Sequence, residues 1–339
     1  MSNPDNSHLI DASRRGSAAG GRTARGSHPS HGGREVLVLV GPTASGKTRV
    51  SLLLARQLNA EIISADSRQV YRYMDIGTAK PSPEELNLVP HHFVDELLPD
   101  REFNAGEFGR RGRAVIDDIL SRKKVPLVVG GSGLYVRSLV DGFFEGPPAD
   151  KTLRKTLVER LNAEGAEALL IELKRVDPVA AAGMLPSNKR RIVRALEVYH
   201  LTGTPISKMQ ESRIEIHFTP CFVGLQWERK TLYGRINERV DRMVEQGLVD
   251  EVRRLQDLGY SSKMNSLQTV GYKEAFEYIE GKVSIERMAE CIKQDTRRFA
   301  KRQLTWFRRD NRIRWFEAQR EKDFPEVADR ICRFFLKGF

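Results

Sequence analysis

From Glu35 to Gly142, short apolar runs alternate with longer segments of helical periodicity. "EVLVLV" (35–40) is apolar on both faces of a period-two ladder, as a strand inside a covered parallel sheet requires. "AEIISA" (60–65) and "VPLVVG" (125–130) read as the second and third strands. "TRVSLLLARQL" (48–58) and "NAGEFGRRGRAVIDDILS" (104–121) space their apolar residues three and four apart, which predicts helices. Strand, helix and strand in repetition predicts an α/β fold, a parallel sheet with helices on both faces. After Gly142 the strand pattern stops. "FFEGPPAD" (143–150) reads as a linker, and 151–165, 166–176 and 188–203 read as helices. "CFVGLQW" (221–227) returns to strand, and "TLYGRINERVDRMVEQG" (231–247) is a helix closed by a Gly C-cap. The pattern therefore predicts a core of residues 35–142 and 216–339, interrupted by a helical insertion at 143–215.

Composition changes this picture at the N-terminus. Residues 1–34 are rich in Gly, Ser, Arg, His and Pro and hold no aromatic residue, so a disordered basic arm is expected. Asp5 and Asp11, and the lack of an amphipathic face, argue against a transit peptide. Five Arg against two Asp give the arm +3 of the total +11, so the remainder still carries +8. Such a charge points to a polyanionic partner, nucleic acid first. No run approaches the roughly 20 apolar residues of a membrane span. Cys221, Cys291 and Cys332 stand far apart with no CxxC pair, so neither a zinc ribbon nor a disulfide framework is indicated, which suits a reducing cytoplasm. His91 and His92 are adjacent but lack partners at metal-ligand spacing.

Gly41, Pro42, Thr43, Ala44, Ser45, Gly46, Lys47 and Thr48 fit G-x-x-x-x-G-K-[ST] in full, after an apolar strand and at the start of a helix. Glycines let amides converge on an anion, the helix N-terminus adds positive potential, and Lys47 adds a point charge. The pattern carries the labels nucleotide-binding and ATP-binding, yet it specifies only a di- or triphosphate. A kinase also needs a metal-binding acid at the end of a buried strand. "VPLVV" runs instead into Gly130 and Gly131, which leaves Asp66 as the candidate. Ends of neighbouring parallel strands open onto one crevice, so Asp66 and "GGSGLY" (130–135), with Ser132, should face the loop. Asp66 could there hold Mg²⁺ or accept a proton; a capping carboxylate is the alternative.

The segment 293–316 holds nine Lys/Arg against two acids and reads as a basic helix. Ile292, Phe299, Trp306 and Phe307 keep helical spacing and are expected in the core. Arg298, Arg302 and Arg309 fall on another face, suited to a phosphate backbone or, more blandly, to solvent. Arg235 and Arg239, one turn apart, suit a diphosphate clamp; ion pairs with Glu238 or Asp241 are the alternative. From the residues alone, a P-loop kinase and an RNA-binding protein with a vestigial loop both remain open.

With these stretches, "DSRQVYRYMDIGTAKP" (66–81), "NKRRIVRALEVYHLTG" (188–203), "VGYKE" (270–274) and "TRRFAKRQLTWFRRD" (296–310), the chain resembles the tRNA dimethylallyltransferases, or isopentenyltransferases, across residues 35–318. The resemblance implies transfer of a dimethylallyl group from its diphosphate to N6 of the adenosine at tRNA position 37, next to the anticodon. It implies that Lys47, Thr48 and Arg239 bind the diphosphate with Mg²⁺ near Thr48, that Arg235 helps, and that Asp66 accepts the N6 proton. Ser132, where the family often has Thr, keeps a hydroxyl for substrate. Contacts to the tRNA anticodon stem-loop are implied for Asp66, Ser67, Arg68, Gln69, Ser132 and Arg154, and for Arg190, Arg191, Ile192, Val193 and Arg194. They are implied also for Gln268, Thr269, Val270, Gly271, Tyr272 and Lys273, and for Asp295, Thr296, Arg297, Arg298, Phe299, Ala300, Lys301 and Arg302. The C-terminal zinc finger of eukaryotic members is missing, which points to the bacterial form, expected as a monomer.

Overall fold

The computed structural model describes residues 34–142, 146–211 and 214–339. The basic arm, apart from Arg34, and part of the linker at 143–150 lie outside the described residues.

Strands β1 (Glu35–Val40), β2 (Ala60–Ser64), β3 (His91–His92), β4 (Val125–Gly130), β5 (Thr219–Gln226) and β6 (Arg314–Glu317) form one sheet in the order β3-β2-β4-β1-β5-β6. Every pairing is parallel; β1 sits between β4 and β5, with Leu39 beside Val129 and Val223. Alternate residues of β1 serve opposite cores. Val36, Val38 and Val40 face one layer, Leu37 and Leu39 the other, and all five are fully buried.

On the Leu37 side pack α1 (Lys47–Leu58) and the C-terminal helix α13 (Phe324–Leu336). Their apolar stripes, Val50, Leu54 and Leu58 against Phe324, Ala328 and Ile331, repeat at helical spacing. The short α2 (Pro83–Leu88) is opened by a Ser82–Glu85 capping box. On the Val36 side lie α3 (Ala105–Ser121), capped by Asn104, and α4 (Gly133–Val140). In the middle of the chain come α5 (Lys151–Val176), α6 (Pro178–Ala182), α7 (Lys189–Thr202) and α8 (Ile206–Met209). Gly165, at φ +86°, breaks α5 into the two segments the sequence pattern separated. Leu157, Leu169, Leu173, Ile192 and Leu196 form a core of their own among α5 and α7. The chain then returns through β5 to α9 (Arg229–Glu245), α10 (Leu248–Asp257), α11 (Tyr272–Ile279) and α12 (Ile285–Phe307).

Two strands escape the sequence pattern. β3 has two residues, too few to alternate, so "VPLVVG" is fourth along the chain rather than third. β6 falls inside the stretch read as one basic helix to residue 316. That helix stops at Phe307, because Asp310 accepts from the Arg312 amide at 3.1 Å and turns the chain. Arg309 therefore leaves the helix face shared by Arg298 and Arg302.

Candidate active site

The loop between β1 and α1 is shaped by its neighbours. Trp227 Nε1 donates to the Ser45 carbonyl at 3.0 Å, Arg235 Nε to the Ala44 carbonyl at 2.9 Å, and the Thr43 amide to Gln303 Oε1 at 2.8 Å. Gly46 takes φ +86°, and a Cβ there would lie 2.2 Å from the Phe324 ring, so glycine is required twice over. Ala44 is held in the left-handed region at φ +61°, a strain of about 1 kcal/mol or more that the clamps maintain. Among the described residues the amides of Gly46, Lys47 and Thr48 have no protein acceptor, as an anion site requires.

Lys47 Nζ donates to the carbonyls of Gly41 at 3.0 Å and Pro42 at 2.7 Å. Burial, and then Arg239 beside it, lower its pKa to about 7, against the pull of Asp66. Arg239, on α9, donates to Thr43 Oγ1 at 3.1 Å, and burial brings its pKa down to about 10. Two desolvated cations side by side form a site short of negative charge.

Asp66 stands two residues beyond β2 and is half-buried. Its Oδ1 accepts from the amides of Arg68 at 2.8 Å and Gln69 at 3.4 Å, but a turn and not a helix follows, so the carboxylate holds a turn and the helix-capping alternative fails. Oδ2 has no protein partner among the described residues. Asp66, Ser132 and the phosphate loop line one cavity of about 570 Å³. Ser132 is the N-cap of α4, and its hydroxyl makes no cap bond.

The cavity also gathers Ser67, Arg68, Gln69, Thr269, Val270, Gly271, Thr296, Phe299 and Arg302. Other expected contacts lie elsewhere or turn inward. Tyr272 is buried, donating to Glu251 Oε1 at 2.6 Å, and Ala300 is buried too. Ile192 and Val193 belong to the core of α5 and α7, so their side chains cannot meet RNA; Arg190 and Arg191 face outward. Arg154 and Arg194 both pair at 2.7 Å with the buried Glu197, away from the cavity. Gln268 donates to the Ser262 carbonyl. Lys273 pairs with Asp295 at 2.6 Å, which accepts from Arg298 at 3.0 Å, while Arg297 donates to Asn237 at 2.6 Å and Lys301 is exposed.

Three readings are corrected. Phe299 and Trp306 are each 40% exposed and wall the cavity, whereas only Ile292 and Phe307 enter the core. Helical spacing identifies a face but not what covers it. Arg235 is no free clamp: it binds the loop carbonyl, pairs with Glu321 at 2.9 Å and lies 4.3 Å over Trp227. The partners proposed for it, Glu238 and Asp241, are not its own.

Two supports went unforeseen. Gln303 spans the loop amide of Thr43 and the carbonyl of Gly131 at 2.9 Å, joining α12 to both glycine turns. Buried Glu251 accepts from the amides of Asp75 at 2.9 Å, Ile76 at 2.7 Å and Gly77 at 3.2 Å. The loop it fixes receives Gln69 Nε2 at the Ala79 carbonyl, 3.1 Å away, next to Asp66. Gln303 lies inside a stretch already singled out for its basic residues; Glu251 carries no local signal.

A parallel sheet with this loop after its first strand, and a carboxylate two residues beyond the next, is the architecture of an α/β protein whose ligand crevice lies at the strand ends. The chain belongs to the tRNA dimethylallyltransferase family: the model of the family described as IPP transferase matches residues 69–310. The tRNA dimethylallyltransferase of Geobacillus thermodenitrificans is 45% identical over 302 residues, 88% of this chain and 96% of that protein. That of Thermotoga neapolitana is 49% identical over 283 residues, covering 83% and 92%. Among solved structures, the tRNA isopentenylpyrophosphate transferase of Bacillus halodurans is 41% identical with a TM-score of 0.66, covering 90% of this chain and 97% of its own. A eukaryotic dimethylallyltransferase acting on tRNA is 27% identical with a TM-score of 0.78, covering 90% and 80%. No helix among the described residues is long and apolar enough to cross a membrane.

Proposed function

We propose that this enzyme transfers the dimethylallyl group of dimethylallyl diphosphate to N6 of the adenosine at tRNA position 37, releasing diphosphate. The observation carrying the reading is one cavity where a phosphate loop, two desolvated cations and a lone carboxylate meet under a basic helix. The loop amides, Lys47 and Arg239 hold the diphosphate and stabilise charge as the allylic C–O bond breaks. N6 is a poor nucleophile, its lone pair delocalised into the ring. As the N–C bond forms, the free oxygen of Asp66 takes the N6 proton. The adenine must leave its stack to enter. Phe299 and Trp306 give it apolar walls, and Ser132 offers a hydroxyl.

Thr48 lines the cavity, its hydroxyl has no protein partner, and among the described residues no three His, Cys, Asp or Glu form a metal cage. That donor set fits Mg²⁺, which keeps several waters and takes phosphate oxygens as ligands. Bound beside Thr48, it would supply neutralising charge to the diphosphate. Arg68, Gln69, Thr269–Gly271 and the exposed face of α12 hold the anticodon loop, while the helices of the 143–215 insertion, through Arg154, Arg190, Arg191 and Arg194, hold the stem. The chain works as a monomer in a reducing cytoplasm, where its free cysteines stay unpaired.

Mass spectrometry of nucleosides from tRNA incubated with enzyme and dimethylallyl diphosphate tests the reading; N6-dimethylallyladenosine is expected. Asp66→Asn should lower kcat by about a hundredfold or more while RNA binding persists. Cleavage of nucleoside triphosphates with no alkylated adenosine would overturn the proposal.

A further inference from the structure

Glu251, on α10, is 2% exposed, and among the described residues no Lys or Arg pairs with it. Its carboxylate accepts instead from neutral donors: the amides of Asp75, Ile76 and Gly77 and the Tyr272 hydroxyl. A buried charge without a counter-ion is unfavourable for stability, and apolar packing would often serve the fold better. What such a carboxylate does fix is one backbone geometry. Tyr272 supports that geometry from the side. A Cβ on Gly77 would lie 2.4 Å from its ring, so the ring packs directly on the loop backbone.

With its amides turned to Glu251, the loop turns carbonyls the other way. Those of Thr78 and Ala79 accept from Gln69 Nε2 at 3.4 and 3.1 Å. Ala79 is held at φ +46°, a left-handed conformation that persists only where the surroundings impose it. The other end of the Gln69 side chain, Oε1, accepts from Ser64 Oγ at the end of β2, 3.0 Å away. Gln69 is therefore pinned between strand and loop, and its amide is one of the two that hold Asp66 Oδ1. That last bond is long, at 3.4 Å, so the turn by itself leaves Asp66 room to rotate.

We propose that Glu251, seconded by Tyr272, is a positioning residue for Asp66: through the 75–79 loop and Gln69 it sets the angle at which the free carboxylate oxygen meets the reacting amine. The inference rests on the function proposed above. A base must come within about 3 Å of the group it deprotonates. A misplacement of about 1 Å costs up to about a hundredfold in rate. Diphosphate binding does not pass through this relay, because the phosphate loop is braced by Trp227, Arg235 and Gln303 instead.

The test is a double-mutant cycle on the full chain. Glu251→Gln keeps the size of the side chain. Its carbonyl can serve the amides of Asp75 and Ile76, and its NH2 can meet the Tyr272 oxygen, which leaves only the Gly77 amide unpaired. Single-turnover rates with saturating anticodon arm and dimethylallyl diphosphate should fall about tenfold. The Kd for inorganic diphosphate, by calorimetry, should stay within about twofold of wild type, since its ligands are untouched. In Asp66→Asn the base is gone, so adding Glu251→Gln should slow the residual reaction no further, whereas a general loosening of the fold would multiply the two losses. Tyr272→Phe keeps the ring against Gly77 and removes only the hydroxyl. It should show a smaller loss, again absent in the Asp66→Asn background. The proposal is overturned if Glu251→Gln and Tyr272→Phe react at the wild-type rate, if the losses multiply, or if diphosphate affinity falls in step with the rate. Wild-type enzyme that alkylates no adenosine would instead refute the parent reading, and the positioning role with it.

Discussion

Lys47 pays for its position in solvation, and that cost fixes a pH dependence. Its pKa of about 7 in the folded protein lies below the ordinary lysine value of 10.5. The unfolded chain therefore binds more protons between those values, and Lys47 contributes stability that rises with pH across that window. A bound diphosphate restores the proton, so affinity should move the opposite way. Inorganic diphosphate titrated by calorimetry should bind progressively more weakly above pH 7, by up to roughly tenfold per pH unit. Lys47→Arg keeps its charge and should lack this decline. Gln303 acts at the same scale. Gln303→Leu leaves the Thr43 amide without its partner, a loss of about 1–3 kcal/mol, visible as a lower melting temperature and a higher KM for dimethylallyl diphosphate. Single residues were unevenly legible. The phosphate loop announces itself because glycines and one lysine must be contiguous to wrap an anion. Gln303 and Glu251 do not, since their partners are 260 and 174–176 positions away.

At the scale of elements, α12 has two jobs on two faces. Its inner face carries Ile292, Ala300, Gln303 and Phe307 into the body of the enzyme. Its outer face shows Arg298 and Arg302, with Arg302 5.8 Å from the Phe299 ring centroid. Arg298→Ala with Arg302→Ala should weaken tRNA binding and reduce the slope of log Kd against log salt by up to about two phosphate contacts. An unchanged slope in a filter-binding series would show that this face does not meet the backbone. The loop from Asp75 to Gly77 depends in turn on α10. Glu251→Ala removes the acceptor of three amides and of the Tyr272 hydroxyl, and should cost about 3 kcal/mol or more in chemical denaturation. Periodicity found both helices but not their partners. It misplaced Phe299 and Trp306 because a cavity wall and a core have the same spacing.

Across the whole molecule, the proposed function draws on two surfaces. The reaction cavity opens beneath α12, and the outward arginines of α7 belong to a part of the chain with its own core. Arg190→Ala with Arg191→Ala should therefore raise the Kd for tRNA by about tenfold while leaving diphosphate binding intact, measured by parallel titrations. Sequence alone determined four strands of the parallel sheet, the loop between β1 and α1, the long helices of residues 151–202 and the basic character, because each depends on residues close in the chain or on their sum. Tertiary structure decided which cations stay free and which are spent. It set Arg235 against the Ala44 carbonyl and Glu321, and Arg239 against the Thr43 hydroxyl in the cavity, one turn apart on the same helix. It also divided the aromatic residues of α12 between core and cavity, since burial is set by the elements that arrive from elsewhere in the chain.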